Sequence, residues 1–393
     1  MRKNIIVAMA SLAFLPAVSF AAAPTLTEVL DASGVTLSGH ASGSWAYNHA
    51  AENGAAGASL TTNQFTFDQA QLTISKLPAE GFGASVDIYA GQDVAGGTYN
   101  YVDPLAGAAS LPQNILPTGF YNKYSVLGGT GGSEFVLHQA FVQYATGGLT
   151  VIGGKFATLA GYEVAADGSN NNATRSILFS QQAFTLTGIR VGYKVSDMAT
   201  LYVGLSNSVT SSPIALIGAG SPLPNTYDID PQKTVEVGVA LAPIKGLAIN
   251  VTDYRGTEFS PANGPGTAKN NLLDAVVSYS IGDLSFAYNG DYNTSKTAGS
   301  NAKFLGHAIY ANYQLTSKVR AGVRGELTNA WDSVAGGPKV KRNEVTLTGD
   351  YAAAKNFNLI SDVRYASIQN DAASLLAPNA HQTSFVLKAV YKF

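Results

Sequence analysis

The side chains with the clearest chemical potential in this sequence are charged, and they fall into two groups. Glu163, Asp167 and Arg175 lie in one polar stretch at residues 159–182. The second group recurs within apolar segments elsewhere and comprises Lys155, Arg190, Lys194, Arg320, Arg324, Glu326 and Arg364. If the two groups faced each other across water, the field between them would orient dipolar solutes and set an ion preference. Ion pairs that only pin the stretch to its surroundings would use the same residues, so both interpretations stay open.

Other chemistries find little support in the residue types or their spacing. The five histidines, at positions 40, 49, 138, 307 and 381, lack the spacing of metal ligands. Ser384 lies near His381, but such neighbours are common, and a nucleophile needs a base held beside it. The chain has no Cys, which excludes disulfides and thiol chemistry. We therefore predict no enzymatic activity, no metal site and no cofactor.

Strict alternation of residue types defines the elements that must position the charges. In the closing stretch Phe385, Leu387, Ala389, Tyr391 and Phe393 share one face of a strand, and the intervening residues include Lys388 and Lys392. This period of two recurs sixteen times between residues 34 and 393. In the second strand, 62–77, the phase slips, which predicts a β-bulge. Fourteen or eighteen strands remain open because residues 93–133 could contain another hairpin.

The connections between these strands alternate between short and long. The short ones are residues 77–81, 146–148, 196–197, 242–246, 282–283, 316–318 and 354–356. The long ones are residues 49–61, 93–133, 159–182, 210–231, 257–269, 293–302, 331–341 and 369–381. Outer-membrane barrels sort their connections in this way, with short periplasmic turns and long external loops. The sequence therefore predicts an all-β transmembrane antiparallel up-and-down barrel over residues 34–393, with both termini in the periplasm.

The composition agrees with a membrane barrel in which successive side chains along each strand face lipid and water in turn. Only 13% of the residues are charged, and the mean hydropathy is +0.08, near neutral as expected when alternate side chains face opposite solvents. The net charge of −2 gives no basic field that would indicate binding to nucleic acid.

The first residues have the pattern of a secretory signal peptide. Arg2 and Lys3 precede a short apolar core at residues 5–15, and Ser19-Phe20-Ala21 is a small-x-small cleavage site. We expect a signal peptide at residues 1–21, with cleavage after Ala21, or after Ala23. Residues 22–33 are then a short periplasmic segment with one short helix. After residue 21 no apolar run is long enough to span a bilayer as a helix.

The closing strand carries a prediction about assembly. In lipid an unpaired sheet edge is costly, so the last strand must pair with the first. Barrels of this kind resemble one another in ending on an aromatic residue, and we expect Phe393 to act as a signal to the barrel-assembly machinery.

Several motifs between residues 134 and 195 resemble a known family. They are His138–Tyr144, Gly153–Phe156, Gly161–Glu163, Asn170–Asn172, Arg175–Phe179 and Gly188–Arg190. They look like the outer-membrane β-barrel porin-2 (OmpL-like) family of Gram-negative bacteria, with looser similarity across residues 34–393. The resemblance implies a channel in the outer membrane and no particular substrate.

Barrels of sixteen to eighteen strands enclose an aqueous channel. We therefore expect a passive diffusion channel for small hydrophilic solutes or ions, with loop 159–182 folded inward as the constriction. The alternative is a structural or adhesive surface barrel that acts through its long loops, above all 93–133. Expected partners are outer-membrane lipids, lipopolysaccharide, the assembly machinery and, in a homotrimer, copies of the chain itself.

Overall fold

A closed antiparallel barrel is the architecture of the chain. The computed structural model describes residues 30, 32–52, 59–91, 135–207, 231–260, 266–333, 339–370 and 379–393. Within these residues each strand pairs with its neighbours in the chain, and β1 pairs with β16. The strands are β1 (Thr36–Glu52), β2 (Ser59–Lys76), β3 (Gly81–Ala90), β4 (Phe135–Thr146), β5 (Leu149–Ala157), β6 (Thr185–Ser196), β7 (Ala199–Ser206), β8 (Thr234–Leu241), β9 (Leu247–Ser260), β10 (Gly266–Ile281), β11 (Leu284–Lys296), β12 (Asn301–Gln314), β13 (Val319–Asp332), β14 (Lys339–Ala354), β15 (Phe357–Asn370) and β16 (Asn379–Lys392). The predicted fold class and the count of sixteen strands are confirmed.

Some of the predictions concern residues that lie outside the described ranges. These are the signal peptide 1–21, most of the segment 22–33 with its short helix, and loop 93–133. Residues 1–35 form a unit of their own, in whose described part Ser33 Oγ donates a hydrogen bond to the Leu30 carbonyl over 2.8 Å. In the described part of the chain, no helix has the length and apolar character needed to cross a membrane.

The two faces of each strand differ in burial as the alternation predicts. On β14, Val345, Leu347 and Tyr351 are about half exposed, whereas Thr346 and Asp350 between them are buried. On β6, Ile189 and Tyr193 point outward and Arg190 is buried inside. Apolar side chains therefore cover the outer face, where they meet lipid, and the inner face is polar.

The predicted bulge in the second strand is present. The register of β1 with β2 shifts between Ser42, which pairs with Gln69, and Gly43, which pairs with Phe67. The extra residue is Asp68, and both Asp68 and Gln69 are buried on the inner face. The bulge thus adds a carboxylate to the interior beside β1.

Several strands continue beyond the ends that the sequence predicts. The alternation predicts that β11 ends near residue 292, but the strand reaches Lys296. The long connection expected at 293–302 is therefore a tight turn, in which the Thr297 N–H donates to the Ser300 carbonyl over 2.9 Å. The prediction was wrong here because Thr294 and Lys296, on the outward phase, are polar. Strand ends that leave the bilayer lose the apolar half of the pattern.

The seam between the first and last strands closes the barrel. β1 and β16 pair from His40 with Lys392 to Glu52 with Ala380. Beyond this register the backbones of Gly39 and Phe393 exchange two hydrogen bonds of 3.0 Å. A Cβ atom at Gly39 would lie 2.7 Å from Cζ of Phe393, so the phenyl ring packs directly on the glycine. The expected pairing of the last strand with the first is confirmed.

Candidate functional site inside the barrel

One connection folds into the barrel and lies against its inner wall. We call residues 158–184, between the end of β5 and the start of β6, the inner segment. It contains two 3₁₀ turns, Asp167–Ser169 and Leu178–Gln181, and residues 172–183 are buried without a break. Its two ends meet where the Thr158 N–H bonds the Phe184 carbonyl over 3.0 Å. The inward folding expected for loop 159–182 is therefore observed.

The two ends of the inner segment are held by side chains from β9 and β11. The Tyr254 hydroxyl, fully buried, accepts the Leu159 N–H over 3.0 Å. The Asn289 side-chain oxygen accepts both the Tyr162 N–H over 3.0 Å and the Gln182 amide over 2.8 Å. One wall residue thus ties both ends of the segment together.

The middle of the inner segment is organised around Arg324 of β13, whose side chain is fully buried. Its Nη1 lies 2.9 Å from Glu163 Oε1 and donates to the Thr174 carbonyl over 2.8 Å. Its Nη2 lies 2.5 Å from Glu344 Oε1 on the neighbouring strand. The guanidinium therefore bridges a carboxylate of the wall and a carboxylate of the segment, and charge-assisted bonds of this kind are the stronger ones.

Wall carboxylates also bind backbone N–H groups of the segment. Glu326 accepts from the N–H groups of Ile177 and Leu178 over 2.9 and 3.1 Å. Asp362 of β15 accepts from both the N–H and the hydroxyl of Thr174, over 2.8 and 2.7 Å. These bonds satisfy buried donors that a loop away from water would otherwise leave unpaired.

The first 3₁₀ turn sits against the barrel seam through Asp167. This carboxylate accepts from Lys388 Nζ at 2.8 Å, Ser42 Oγ at 2.7 Å and Arg175 Nη2 at 2.8 Å. Burial opposes its ionisation, but Lys388 and Arg175 outweigh burial and hold the pKa of Asp167 below its ordinary value. The resulting stabilisation is present above that ordinary value and is lost as the pH falls through the lower folded pKa.

Close packing accompanies the polar bonds at two glycines. Gly161 has a φ of +98°, which side-chain-bearing residues rarely adopt, and a Cβ there would lie 2.2 Å from Gln182 Oε1. A Cβ at Gly306 of β12 would lie 2.3 Å from Leu178 Cδ1. The wall therefore leaves space at Gly306 for the apolar face of the second 3₁₀ turn.

The structure brings six of the predicted site residues together. Glu163, Asp167 and Arg175 of the segment meet Arg324, Glu326 and Arg364 of the wall, where Arg364 Nη1 lies 3.4 Å from the Arg175 carbonyl. Opposite charges are in direct contact, with acids and bases on both the segment and the wall. This arrangement corresponds to the interpretation in which ion pairs pin the segment.

The other four predicted residues do not face the middle of the segment. Lys155 shares the outward phase of β5, pairing with Ala140 and Thr187, and its Nζ donates to the Leu137 carbonyl over 2.7 Å. Lys194 is exposed at the β6–β7 turn, 2.7 Å from Asp197. Arg320 binds Asp350 at 2.6 Å, and Arg190 pairs with Glu236 while donating to the Ala157 carbonyl at the root of the segment. The placement of Lys155 and Lys194 beside the constriction was wrong. Lys155 lies on the outward phase of β5, and Lys194 lies at the end of β6, away from the segment.

Sequence reasoning missed Lys388, Asn289 and Tyr254, which bind the segment directly. It also missed Glu344, which binds Arg324 on the wall. The signal was available for Lys388 and Glu344, because both lie on the inward phase of their strands. No signal in the sequence indicates that Lys388 contacts Asp167, since the two residues are separated by 221 positions in the chain.

Replacing Lys388 by glutamine is expected to destabilise the folded barrel by about 3 kcal/mol, the lower end of the cost of leaving a buried charge unpaired. Ser42 and Arg175 would still bind Asp167, which limits the loss. The temperature at which the folded band disappears on a denaturing gel measures the effect. Lys392→Gln removes the same charge from the same strand at an exposed position and should change little; equal losses in both variants would contradict the assignment.

A closed barrel with an apolar outer face, a polar interior and an inward-folded connection defines an outer-membrane channel protein. The family described as "Putative beta-barrel porin-2, OmpL-like" matches residues 34–393, and the chain belongs to this family. The resemblance seen in the sequence is confirmed, as are the channel role and the location in the bacterial outer membrane. No curated protein matches the chain.

Solved structures share the fold at low sequence identity. The outer membrane channel DcaP of Acinetobacter baumannii is 11% identical with a TM-score of 0.58, covering 91% of this chain and 97% of that one. An anion-selective porin from Comamonas acidovorans is 13% identical with a TM-score of 0.57, covering 91% and 99%. A trimer form of OmpT from Vibrio cholerae is 10% identical with a TM-score of 0.55, covering 92% and 100%.

Proposed function

We propose that the protein is a passive diffusion channel for small hydrophilic solutes or ions, and that the inner segment is its constriction. The observation that carries this proposal is the set of buried ion pairs from Glu163 and Asp167 to Arg324 and Lys388. They fix the segment against β13, on the far side of the barrel from β5 and β6, where the segment begins and ends, and against β16, beside the seam with β1. A segment fixed across the lumen narrows it to a constant aperture.

The polar network also supports a passive mechanism. The segment is bonded to β1, β9, β11, β13, β15 and β16 through side chains that are themselves buried. Moving it would break several of these bonds at once, each costly to leave unmade. A fixed aperture selects solutes by size and charge, which is the behaviour of a diffusion pore. The surface-barrel alternative depends on loop 93–133, outside the described residues.

We propose no catalytic role for the chain. Ser384 is buried on the inner face, where it bonds Gln382, while His381 lies on the opposite phase of β16 and stacks on Tyr365. A serine and a histidine on opposite faces of one strand cannot form a nucleophile–base pair with each other. In the described residues no cluster of three or more His, Asp or Glu side chains could hold a metal ion.

The remaining expectations concern assembly and partners. We propose export by the signal peptide 1–21, periplasmic termini at the end of the barrel with the short turns, and insertion by the barrel-assembly machinery. OmpT of Vibrio cholerae has been solved in a trimer form. A homotrimer is accordingly our proposal for this chain, and cross-linking of the purified protein in detergent tests it.

Purified protein added to a planar lipid bilayer is expected to give discrete conductance steps of uniform size. Uniform steps follow from an aperture that buried bonds hold in one position. The control is the same preparation denatured by heat, which should give none. A folded, inserted protein without conductance steps would contradict the channel proposal and favour the surface-barrel alternative.

A further inference from the structure

Five lysines lie on the outer face of the barrel at the end where the long connections lie. They are Lys269, Lys296, Lys303, Lys339 and Lys341, and we call them the lysine rim. All five occupy outward positions near the ends of β10, β11, β12 and β14, and the described outward positions of β10–β15 carry no Asp or Glu. Asp332 lies on the inward phase of β13, where it accepts from Ser300 Oγ and the Asn301 N–H. This face is therefore strongly positive.

The register of the strands places these charges against each other. Lys269 and Lys296 are directly opposite partners across β10 and β11. Like charges in this relation destabilise a sheet unless something neutralises them. Lys303 and Lys339 are the register partners of Trp331 on the two neighbouring strands, so two lysines flank this tryptophan on the outer face. The pattern indicates an anion outside the chain that offsets the repulsion.

A surface cavity opens within this face. Its volume is about 280 Å³, and its lining includes Leu305, Asn329, Trp331, Lys339 and Lys341. This volume is close to the lower end of small-molecule sites, about 300 Å³. Away from the rim the same face continues with Ile309 and Leu327, which are 61% and 59% exposed. The side chains line the cavity mainly with apolar atoms, and two lysines of the rim are part of its wall, so the cavity joins the charged rim to the apolar surface.

We propose that the lysine rim binds the phosphate groups of an anionic glycolipid in the outer leaflet, lipopolysaccharide, whose acyl chains then cover the apolar face. A free anion would explain the lysines but not their position at the edge of a lipid-facing surface. Tryptophan is enriched at membrane interfaces, where one end of the ring is apolar and the other is wet. Lysines near an anionic membrane surface each strengthen binding appreciably. The proposal does not depend on the channel function.

Binding of purified lipopolysaccharide to the detergent-solubilised protein tests this assignment. The triple variant Lys303→Gln, Lys339→Gln, Lys341→Gln is expected to bind at least about tenfold more weakly than the wild type. The matched control is Lys245→Gln, Lys318→Gln, Lys355→Gln, which removes three exposed lysines from turns at the opposite end of the barrel. It should bind as the wild type does. A shift of the folded band on heating shows that both variants are folded.

Two further measurements distinguish phosphate groups of the glycolipid from free inorganic phosphate as the ligand. Wild type and triple variant should bind the same glycolipid with equal affinity once its phosphates have been removed. Inorganic phosphate at millimolar concentration should not displace the intact glycolipid. Wild-type affinity in the triple variant, no effect of phosphate removal, or full displacement by inorganic phosphate would each overturn the proposal. Both triple variants should keep the wild-type conductance, so this result is independent of the channel test.

Discussion

Replacing Arg324 by glutamine is expected to raise the single-channel conductance and to shift the zero-current potential in a salt gradient towards cations. The guanidinium is the centre of the contact between the inner segment and the wall, with Glu163, Glu344 and Glu326 around it. Its loss leaves these carboxylates without their shared counter-charge. Their repulsion pushes the middle of the segment away from β13, and the uncovered negative charge attracts cations into the lumen.

The expected cost to stability is large because the group is fully buried. Removing one partner of a buried ion pair costs about 3–5 kcal/mol, since the remaining charges stay in a medium that solvates them poorly. Asp362 and Lys388 would still hold Thr174 and Asp167, so the segment should loosen from β13 and remain attached to β15 and β16. We therefore expect more open-channel noise together with the higher conductance.

Arg320→Gln is the matched control for this experiment. Arg320 lies on the same strand and the same face, and its side chain is 28% exposed with Asp350 as its ion-pair partner. A pair of this kind contributes at most about 1 kcal/mol. The control also removes one positive charge, so a small shift towards cations is expected without a change in conductance or noise. Equal conductance changes in both variants would show that Arg324 does not hold the constriction.

The fold could be predicted from the sequence because a barrel strand displays its environment at every second residue. Ile189 and Val191 against Arg190 already define which side faces lipid, and the bulge near Asp68 was visible as a slip of phase. The prediction fails where the environment stops alternating. Beyond residue 292 both faces of β11 meet water or polar interior, so no contrast remains to mark the strand.

The site was predictable only in part, because its contacts join strands far apart in the chain. Phase alone placed Arg324, Glu326 and Arg364 in the interior. It could not show that Lys388 reaches Asp167, or that Glu344 of the wall shares the charge of Arg324 with the segment. The inward path of a connection is set by many weak bonds together, and no single residue in the sequence reports it. Lys155 shows the converse error: its charge suggested the lumen, but its phase on β5 faces outward.

Deleting Phe393 is expected to reduce the amount of folded protein in the outer membrane strongly. The residue extends the seam beyond the last register pair, with two backbone hydrogen bonds to Gly39 and a ring that packs on that glycine. In lipid an unpaired backbone group costs several kcal/mol. The deletion therefore opens the end of the seam where β16 must meet β1, and it removes the aromatic residue expected to be recognised during assembly.

Phe385→Ala is the matched control for the deletion, because Phe385 is an outward aromatic on the same strand, 5.7 Å from the Trp45 ring. Its loss should leave insertion near the wild-type level. Immunoblots of outer-membrane fractions measure insertion, and bilayer recordings of the protein that does insert should show the wild-type conductance. Refolding of the deletion variant into lipid vesicles separates the two causes: normal refolding there with failure in cells indicates lost recognition, whereas failure in both indicates an open seam. Normal insertion of the deletion variant in cells would refute both roles of Phe393.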